Sequence, residues 1–423
     1  MSSENKDLVW FRRNRPEQCQ VVTEIIDSEE NYNVIIVNAP VKSGKKDIAI
    51  IYKLHRNGCD KKYVDQTIII SALHRKADKA QRQELSCYFG PDYVFSITNQ
   101  NSVEKCLKKI KDIMDKTDEK ITIILDELDY GSNEHQLLSK IWNFAKKNYK
   151  KINRIAMSAT PEESLPEYVN SIDKQEKKKI ISYTPAQSYF GLKKLIQSDR
   201  FKQSESFFES KFDTSDSSSI LTEQGNELIK KLLSDTSDKS NKKHIGILRL
   251  TGNAGKAIKN KKKKTTLFEK IKQNKEKIIK EVNQKYNKEV KFKFKMMFVS
   301  SKAEDKNLIW DNDDEWDDLE KNNAYLIIVN EVAKRSTEWR CQPYLSWYHT
   351  HRGSKTPENT NAQDYSRPVY YETSFNGIAK FEEINFIVYG NLEEALINSG
   401  LKSRKDTKKN KIIISSNVTC KPY

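Results

Sequence analysis

Residues 34–46 read Val-Ile-Ile-Val-Asn-Ala-Pro-Val-Lys-Ser-Gly-Lys-Lys, an apolar β-branched run that leads into a turn at Ser43-Gly44-Lys45. A strand that passes through such a turn into a helix is typical of a phosphate-binding loop, because backbone N–H groups and one lysine converge there. The usual pattern is Gly-x-x-x-x-Gly-Lys followed by Ser or Thr. Here Ala39 stands at the first glycine and Lys46 at the hydroxyl residue. Alone, Gly-Lys-Lys is more often a solvated loop, so the rest of the chain must decide.

The composition describes a polar globular chain. It has 423 residues, of which 36% are hydrophobic and 32% charged, and this length predicts roughly two or three domains. The formal net charge of +16 favours a polyanionic partner such as nucleic acid, although lysine-rich codon usage would produce the same charge. The cysteines form no Cys-x-x-Cys pair, and no apolar run is long enough for a membrane span. We expect a soluble intracellular protein that does not contact a membrane.

Strand and helix patterns alternate along residues 1–165, as in a parallel α/β sheet. Residues 166–240 are richer in Ser, Asp and Lys and are predicted to be a linker or insertion. A second α/β rhythm follows in residues 241–423. The predicted fold class is therefore α/β, with two parallel-sheet domains in tandem. The predicted strands lie at residues 34–37, 66–70, 94–97, 121–125 and 154–157 in the first domain and 245–250, 296–299, 325–329 and 386–389 in the second.

Acidic and hydroxyl side chains follow two neighbouring predicted strands of the first domain. Asp126-Glu127-Leu128-Asp129 ends the fourth strand, where a carboxylate beside a phosphate loop would bind magnesium. The adjacent Glu127 is suited to deprotonate the water that attacks a γ-phosphate. Ser158 and Thr160 follow the next strand, where hydroxyls can bond to the acidic strand end and transmit the nucleotide state to another domain.

Polar candidates also lie further from the loop. Gln18 ends Arg15-Pro16-Glu17-Gln18, and its amide can bond to an adenine edge. Gln363 and Arg367 lie in the second domain, where an arginine across a domain cleft can neutralise γ-phosphate charge. Each is equally compatible with an exposed polar residue. The run Lys256–Lys264 holds six lysines and is suited to contact nucleic-acid phosphates, although most charge runs are solvated loops.

In this order the segments resemble the two-domain motor core of superfamily 2 helicases and translocases. Asp126-Glu127-Leu128-Asp129 resembles the DExD-type second motif, Ser158-Ala159-Thr160 the third, and Gln363–Arg367 the sixth, Gln-x-x-Gly-Arg-x-x-Arg. Residues 335–339 fall where the fifth motif would lie. The resemblance covers residues 10–165 and, more weakly, 244–390. The segments Pro-Val-Lys-Ser-Gly-Lys-Lys and Asp-Tyr-Gly-Ser also resemble segments of helicase-like proteins of large DNA viruses.

The resemblance implies two RecA-like domains and an ATP-dependent helicase or translocase that uses Mg²⁺ and acts on DNA or RNA. Protein partners would belong to a viral replication, transcription or virion complex. Lys45 would bind the β- and γ-phosphates and Asp126 the magnesium, with Glu127 as the base. Gln18 would read adenine, Gln363 would touch nucleotide or water, and Arg367 would be the arginine finger. The implied nucleotide loop is Pro40, Val41, Lys42, Ser43, Gly44, Lys45 and Lys46, and the implied nucleic-acid contacts are Arg75, Thr98 and Asn99. Lys261 and Lys262, in the lysine run, are predicted nucleic-acid contacts because of their charge.

Three departures from the helicase pattern weaken the implied chemistry. Lys46 replaces the hydroxyl that holds magnesium, Ser366 replaces a glycine, and Tyr370 replaces the second arginine of the sixth motif. An ammonium group would repel the metal, although phosphates, water and Asp126 still coordinate it, so slow ATP turnover is expected. Lys46 contacting phosphate directly is the alternative. Two other functions stay open: a non-catalytic ATP- or nucleic-acid-binding scaffold or virion component, and a phosphate-loop ATPase without a nucleic-acid substrate.

Overall fold

The computed structural model contains two α/β units. None of the helices it describes is long and apolar enough to span a lipid bilayer. The described residues are 6–40, 43–57, 66–71, 78–97, 99–126, 137–158, 177–187, 189–209, 220–234, 244–251, 267–286, 293–299, 323–330, 344–352, 365, 368, 370–371, 386–399 and 401.

The first unit is built on a sheet of six parallel strands. Its order across the sheet is β3-β2-β4-β5-β1-β6. Because every pair is parallel, the carboxyl ends of the strands share one edge, which is where α/β sheets bind ligands. In chain order the strands are β1 (Val34–Asn38), β2 (Thr67–Ser71), β3 (Val94–Ser96), β4 (Ile121–Asp126), β5 (Ile152–Ser158) and β6 (Lys178–Ser182).

Helices cover both faces of this sheet. Strand residues such as Ile35 and Val37 pack with the first four helices, whereas Val34 and Ile36 pack with the other two. This alternation follows from the two-residue period of a strand and explains why the strands are apolar throughout. The helices are α1 (Lys6–Asn14), α2 (Pro16–Ser28), α3 (Lys45–Asn57) and α4 (Asp78–Phe89) on one face, and α5 (Gln100–Met114) and α6 (Leu137–Lys147) on the other.

The second unit has its own sheet of six parallel strands and a two-stranded ribbon. The order across the larger sheet is β10-β11-β9-β12-β14-β8, and β7 pairs with β13 in the antiparallel ribbon. These strands are β7 (Tyr189–Phe190), β8 (Phe201–Gln203), β9 (His244–Thr251), β10 (Lys293–Val299), β11 (Asn323–Asn330), β12 (Leu345–Arg352), β13 (Tyr370–Tyr371) and β14 (Ile387–Gly390).

Two apolar clusters cover the second sheet as well. One cluster joins Leu195 and Ala395 to Ile245 and Ile247, and the other joins Leu228, Phe268 and Ile278 to the opposite side chains of the same strands. The helices of the first cluster are α7 (Leu192–Gln197) and α11 (Leu392–Asn398). Those of the second are α8 (Glu223–Ser234), α9 (Leu267–Gln273) and α10 (Lys275–Tyr286).

The structure confirms the nine predicted strands and the α/β class, and it corrects the predicted boundaries. The stretch 166–240, predicted to be a linker, contributes to both sheets where it is described. Strand β6 pairs with β1 in the first sheet, and β8 pairs with β14 in the second. The first unit therefore extends past residue 165 to Ser182, and the second unit starts before residue 241.

Strand β12 is the main element that the sequence pattern does not predict. Leu-Ser-Trp-Tyr-His-Thr-His-Arg contains few aliphatic residues, yet β12 lies between β9 and β14. Two of its polar groups have tertiary partners: Trp347 Nε1 donates to the Leu228 carbonyl at 2.9 Å, and His349 Nε2 lies 3.1 Å from the Glu205 carbonyl. Tertiary hydrogen bonds of this kind allow a polar-looking segment to form an interior strand.

Candidate phosphate-binding site

The predicted phosphate loop connects β1 to α3 at the carboxyl edge of the first sheet. Residue Ala39 follows β1, and its N–H donates to the Ser158 carbonyl at 3.0 Å, which extends the pairing between β1 and β5. Helix α3 begins at Lys45. The first N–H groups of a helix have no partner within the helix and favour an anion, so the start of α3 is suited to phosphate.

The carbonyl of Pro40 is the hydrogen-bond acceptor that holds this loop folded. It accepts from the Ser43 N–H at 3.2 Å and from Ser43 Oγ at 2.7 Å. It also accepts from Lys45 Nζ at 3.4 Å. The lysine thus folds back over its own loop, and the long distance indicates a weak bond that a phosphate oxygen can replace.

Gly44 allows the turn between the loop and α3. Its φ of +95° lies in the region that side chains disfavour, and a Cβ there would lie 2.7 Å from Gln18 Nε2. Gln18 is buried on α2 and donates from Nε2 to the Ser43 carbonyl at 3.1 Å. The structure therefore assigns Gln18 a contact with the loop, whereas its reading of adenine stays a prediction.

The first turn of α3 is joined to the rest of the unit by two ion pairs. Asp47 Oδ2 accepts from Arg15 Nε at 3.3 Å, which connects α3 to the junction of α1 and α2. Burial raises the pKa of Asp47, while the charges of Lys46 and Arg15 oppose that shift. Lys46 Nζ lies 2.7 Å from Glu84 Oε2 on α4. The sequence predicted a lysine that repels magnesium, and the structure places a carboxylate beside that lysine.

Asp126 and Ser158 lie along the same edge as the loop. In the strand register Asn38 is level with Ser158, and Met157 is level with Asp126. Since β5 separates β4 from β1, Asp126 lies two strand spacings, about 10 Å, from the start of the loop. Asp126 is 6% exposed and Ser158 is fully buried. Asp126, the predicted magnesium ligand, and Ser158, the predicted coupling residue, thus lie at the same edge of the first sheet as the loop.

The described residues fit a magnesium ion that arrives with phosphates. Among the residues that the structure describes, no group of three or more His, Cys, Asp or Glu side chains is placed to hold a metal alone. Magnesium is commonly bound by one or two carboxylates together with substrate phosphates and water. Asp126 supplies such a carboxylate, and the start of α3 is suited to the phosphates that would accompany the ion.

The structure gives Asn99 a structural role. Its Oδ1 accepts from the Ser102 N–H at 2.9 Å, and Ser102 Oγ accepts from the Asn99 N–H at 3.1 Å, so the two residues cap α5. Contact between Asn99 and nucleic acid stays a prediction. The other predicted site residues lie outside the described part of the chain: Val41, Lys42, Arg75, Thr98, Glu127, Thr160, Lys261, Lys262, Gln363 and Arg367.

One residue of the segment that resembles the sixth motif is described. Tyr365 is buried, contacts the ring of Phe201 edge-to-face at 5.4 Å, and donates from its hydroxyl to Glu394 Oε2 at 2.5 Å. A Cβ on Gly390, at the carboxyl end of β14, would lie 2.8 Å from the Tyr365 ring. Tyr365 therefore lies against Gly390, at the carboxyl end of β14 in the second sheet.

Sequence reasoning missed Asp47 and Glu84. Both are charged residues on exposed-looking helical patterns, and only the packing of α3 against α2 and α4 brings their partners within reach. The one available signal was Asp47 itself, an acidic residue in the first turn of α3, a position that favours negative charge.

A comparison of this chain with protein-family models finds no match, and a comparison with curated proteins finds none either.

Proposed function

We propose that the chain is an ATP-dependent nucleic-acid motor, a helicase or translocase whose two sheets belong to RecA-like domains. The observation that carries the proposal is the joint position of Lys45 and Asp126 at the carboxyl edge of one parallel sheet. A lysine at a helix start and a buried carboxylate two strands away supply the two charges that a magnesium-bound triphosphate requires.

Each described group has a separate part in binding. The N–H groups of the first turn of α3 hold phosphate oxygens, and Lys45 leaves the Pro40 carbonyl to neutralise the β- and γ-phosphates. Asp126 would hold magnesium, which would offset negative charge on the phosphates. By the resemblance, Glu127 would remove the proton from the attacking water, and Arg367 would neutralise charge on the γ-phosphate. Gln18 and Ser43 keep the loop in the shape that these contacts need.

Nucleic acid is the partner that the charge of the chain favours. A formal net charge of +16 attracts polyanions without regard to sequence, and a second parallel sheet provides the other half of a two-domain motor. These features support the motor over a phosphate-loop ATPase without a nucleic-acid substrate.

The decisive experiment measures ATP hydrolysis with and without single- and double-stranded DNA and RNA. A motor hydrolyses ATP faster with at least one nucleic acid, and Lys45→Ala abolishes ATP binding in a fluorescence titration. Glu127→Gln should retain ATP binding and slow hydrolysis by about 10²–10⁴, the usual contribution of a general base. Lys105→Ala, an exposed lysine on α5, is the matched control and should change neither.

A scaffold that binds ATP or nucleic acid without hydrolysis is the second candidate. It is favoured by Lys46, which stands where the metal-binding hydroxyl belongs and is paired with Glu84 instead. ATP binding without turnover, in the presence of every nucleic acid tested, would establish the scaffold. ATP turnover that nucleic acid does not change would establish the third function, an ATPase without this substrate.

A further inference from the structure

Helix α1 carries an exposed aromatic and basic face. Among the described residues the large apolar side chains that are exposed are Val9 at 44%, Trp10 at 53% and Leu401 at 38%. Two of these three are neighbours on α1, so the helix exposes a local apolar surface rather than scattered side chains. Lys6 and Arg13 are exposed on the same helix.

The spacing places these four residues on one side of α1. Positions 6, 9, 10 and 13 follow the i, i+3, i+4, i+7 pattern, which brings side chains onto a single helical face. We name this face, formed by Lys6, Val9, Trp10 and Arg13, the α1 stripe. The opposite side of the helix carries Leu8 and Phe11, which are buried against the first unit.

The two remaining charged residues of α1 lie at the sides of the stripe, each nearer to another helix. Burial lowers the pKa of His55 on α3, and the charge of Arg12 lowers it further, so Arg12 lies toward α3. Burial raises the pKa of Tyr88 on α4, and the charge of Asp7 is the next contribution, so Asp7 lies toward α4. Asp7 and Arg12 are themselves exposed, so one further charge of each sign flanks the two cations of the stripe, Lys6 and Arg13.

We propose that the α1 stripe binds single-stranded nucleic acid, with a base stacked on Trp10 and backbone phosphates on Lys6 and Arg13. An exposed indole offers a stacking surface to any base, and flanking cations contact the backbone. Lys6 and Arg13 lie about 10 Å apart along the helix axis, with Trp10 between them. The two apolar residues are too few for an interfacial membrane helix, which needs a continuous apolar face.

The position of the stripe fits a motor. This inference rests on the proposed function, because it names where the first unit holds the strand. Arg15 directly follows α1 and pairs with Asp47 in the first turn of α3. The helix that carries the stripe is therefore attached to the helix that begins at the phosphate loop.

The test is binding of a fluorescent single-stranded oligonucleotide of about 16 nucleotides, measured by anisotropy without ATP. Trp10→Ala should weaken affinity about tenfold, the loss expected for one stacked base, whereas Trp10→Phe should retain most of it. Arg13→Ala should flatten the slope of log affinity against log salt by about 0.7, one phosphate contact. Lys105→Ala on α5 is the charge-matched control with an unchanged slope. Thermal melting verifies that each variant is folded.

Three results would overturn the inference. If Trp10→Ala and wild type bind the oligonucleotide equally well, Trp10 is not part of the interface. The proposed motor function would still stand in that case, provided that nucleic acid stimulates ATP hydrolysis. Weaker ATP binding with unchanged oligonucleotide binding assigns Trp10 to the nucleotide site. A wild-type protein that binds no DNA or RNA at low salt overturns both the stripe and the motor.

Discussion

The ammonium group of Lys46 lies 2.7 Å from the Glu84 carboxylate, which joins the start of α3 to α4. Lys46 stands where phosphate loops usually have a metal-binding hydroxyl. Its side chain and that of Glu84 are 31% and 45% exposed, so solvent weakens the pair without removing it. Glu84 therefore offsets a positive charge in the first turn of α3, which follows the candidate phosphate loop.

Glu84→Gln should weaken magnesium-dependent ATP binding, because it leaves the charge of Lys46 without its carboxylate. The expected loss is about threefold, in the range of an exposed ion pair. Magnesium titrations at fixed ATP measure it, and ATP binding in EDTA serves as the internal control, since only the metal-dependent part should change.

Lys46→Thr supplies the hydroxyl ligand and should raise magnesium-dependent turnover. In the Lys46→Thr background, Glu84→Gln should have no further effect, because the charge that Glu84 neutralises is gone. A double-mutant cycle measures this coupling. Independent effects of the two substitutions, or a fall in activity of Lys46→Thr, would mean that Lys46 binds phosphate directly.

Gly44→Ala adds only one methyl group, but it should disrupt the phosphate loop strongly. The new Cβ would meet Gln18 Nε2 at 2.7 Å while the backbone stays at a φ of +95°. We expect at least a tenfold loss of ATP affinity, equivalent to about 1.4 kcal/mol. Gly90→Ala is the matched control, since that glycine also has positive φ but lies far along the chain, before β3. Equal ATP affinities of the two variants would show that the strain does not matter.

The cysteines provide a test of the fold that is independent of activity. Burial raises the pKa of Cys106 on α5 to about 12, whereas Cys87 on α4 is exposed. Since the thiolate is the nucleophile, iodoacetamide at pH 8 should modify Cys87 in the native protein and Cys106 only after unfolding. Peptide mass spectrometry distinguishes the two sites. Rapid native modification of Cys106 would contradict the packing of α5 on the sheet.

The ionisation of Asp47 should lower the free energy of unfolding as the pH rises through the acid range. Burial raises its pKa, so the folded state retains this proton to a higher pH than the unfolded state. Between the ordinary pKa of the carboxyl and the raised one, the free energy of unfolding therefore falls with increasing pH. Asp47→Asn removes that contribution and should make the slope of stability against pH less negative in this window. Urea denaturation at several pH values measures the slopes, and identical slopes would contradict the assignment.

Most of the first sheet is readable from local patterns. Continuous apolar runs such as Ile121–Leu125 indicate strands that are covered on both faces, and the structure has β4 there. The glycine turn at Gly44 likewise predicted a helix after the loop, and α3 follows it. Strands β6 and β8 were not predicted from the sequence, because short edge strands such as Lys178–Ser182 carry lysines and lack a periodic pattern.

Local sequence determined nine of the strands and the order of the candidate site residues, because these depend on side-chain period and chain direction. Only the tertiary structure decided the partners of Lys46, Gln18 and Asp47. Their partners lie 38, 25 and 32 residues away along the chain: Glu84 on α4, Ser43 in the loop and Arg15 between α1 and α2. Contacts over such distances arise from how helices pack on a sheet, and no local pattern specifies that packing. The same packing turned one side of α1 inward and left Trp10 on the outside.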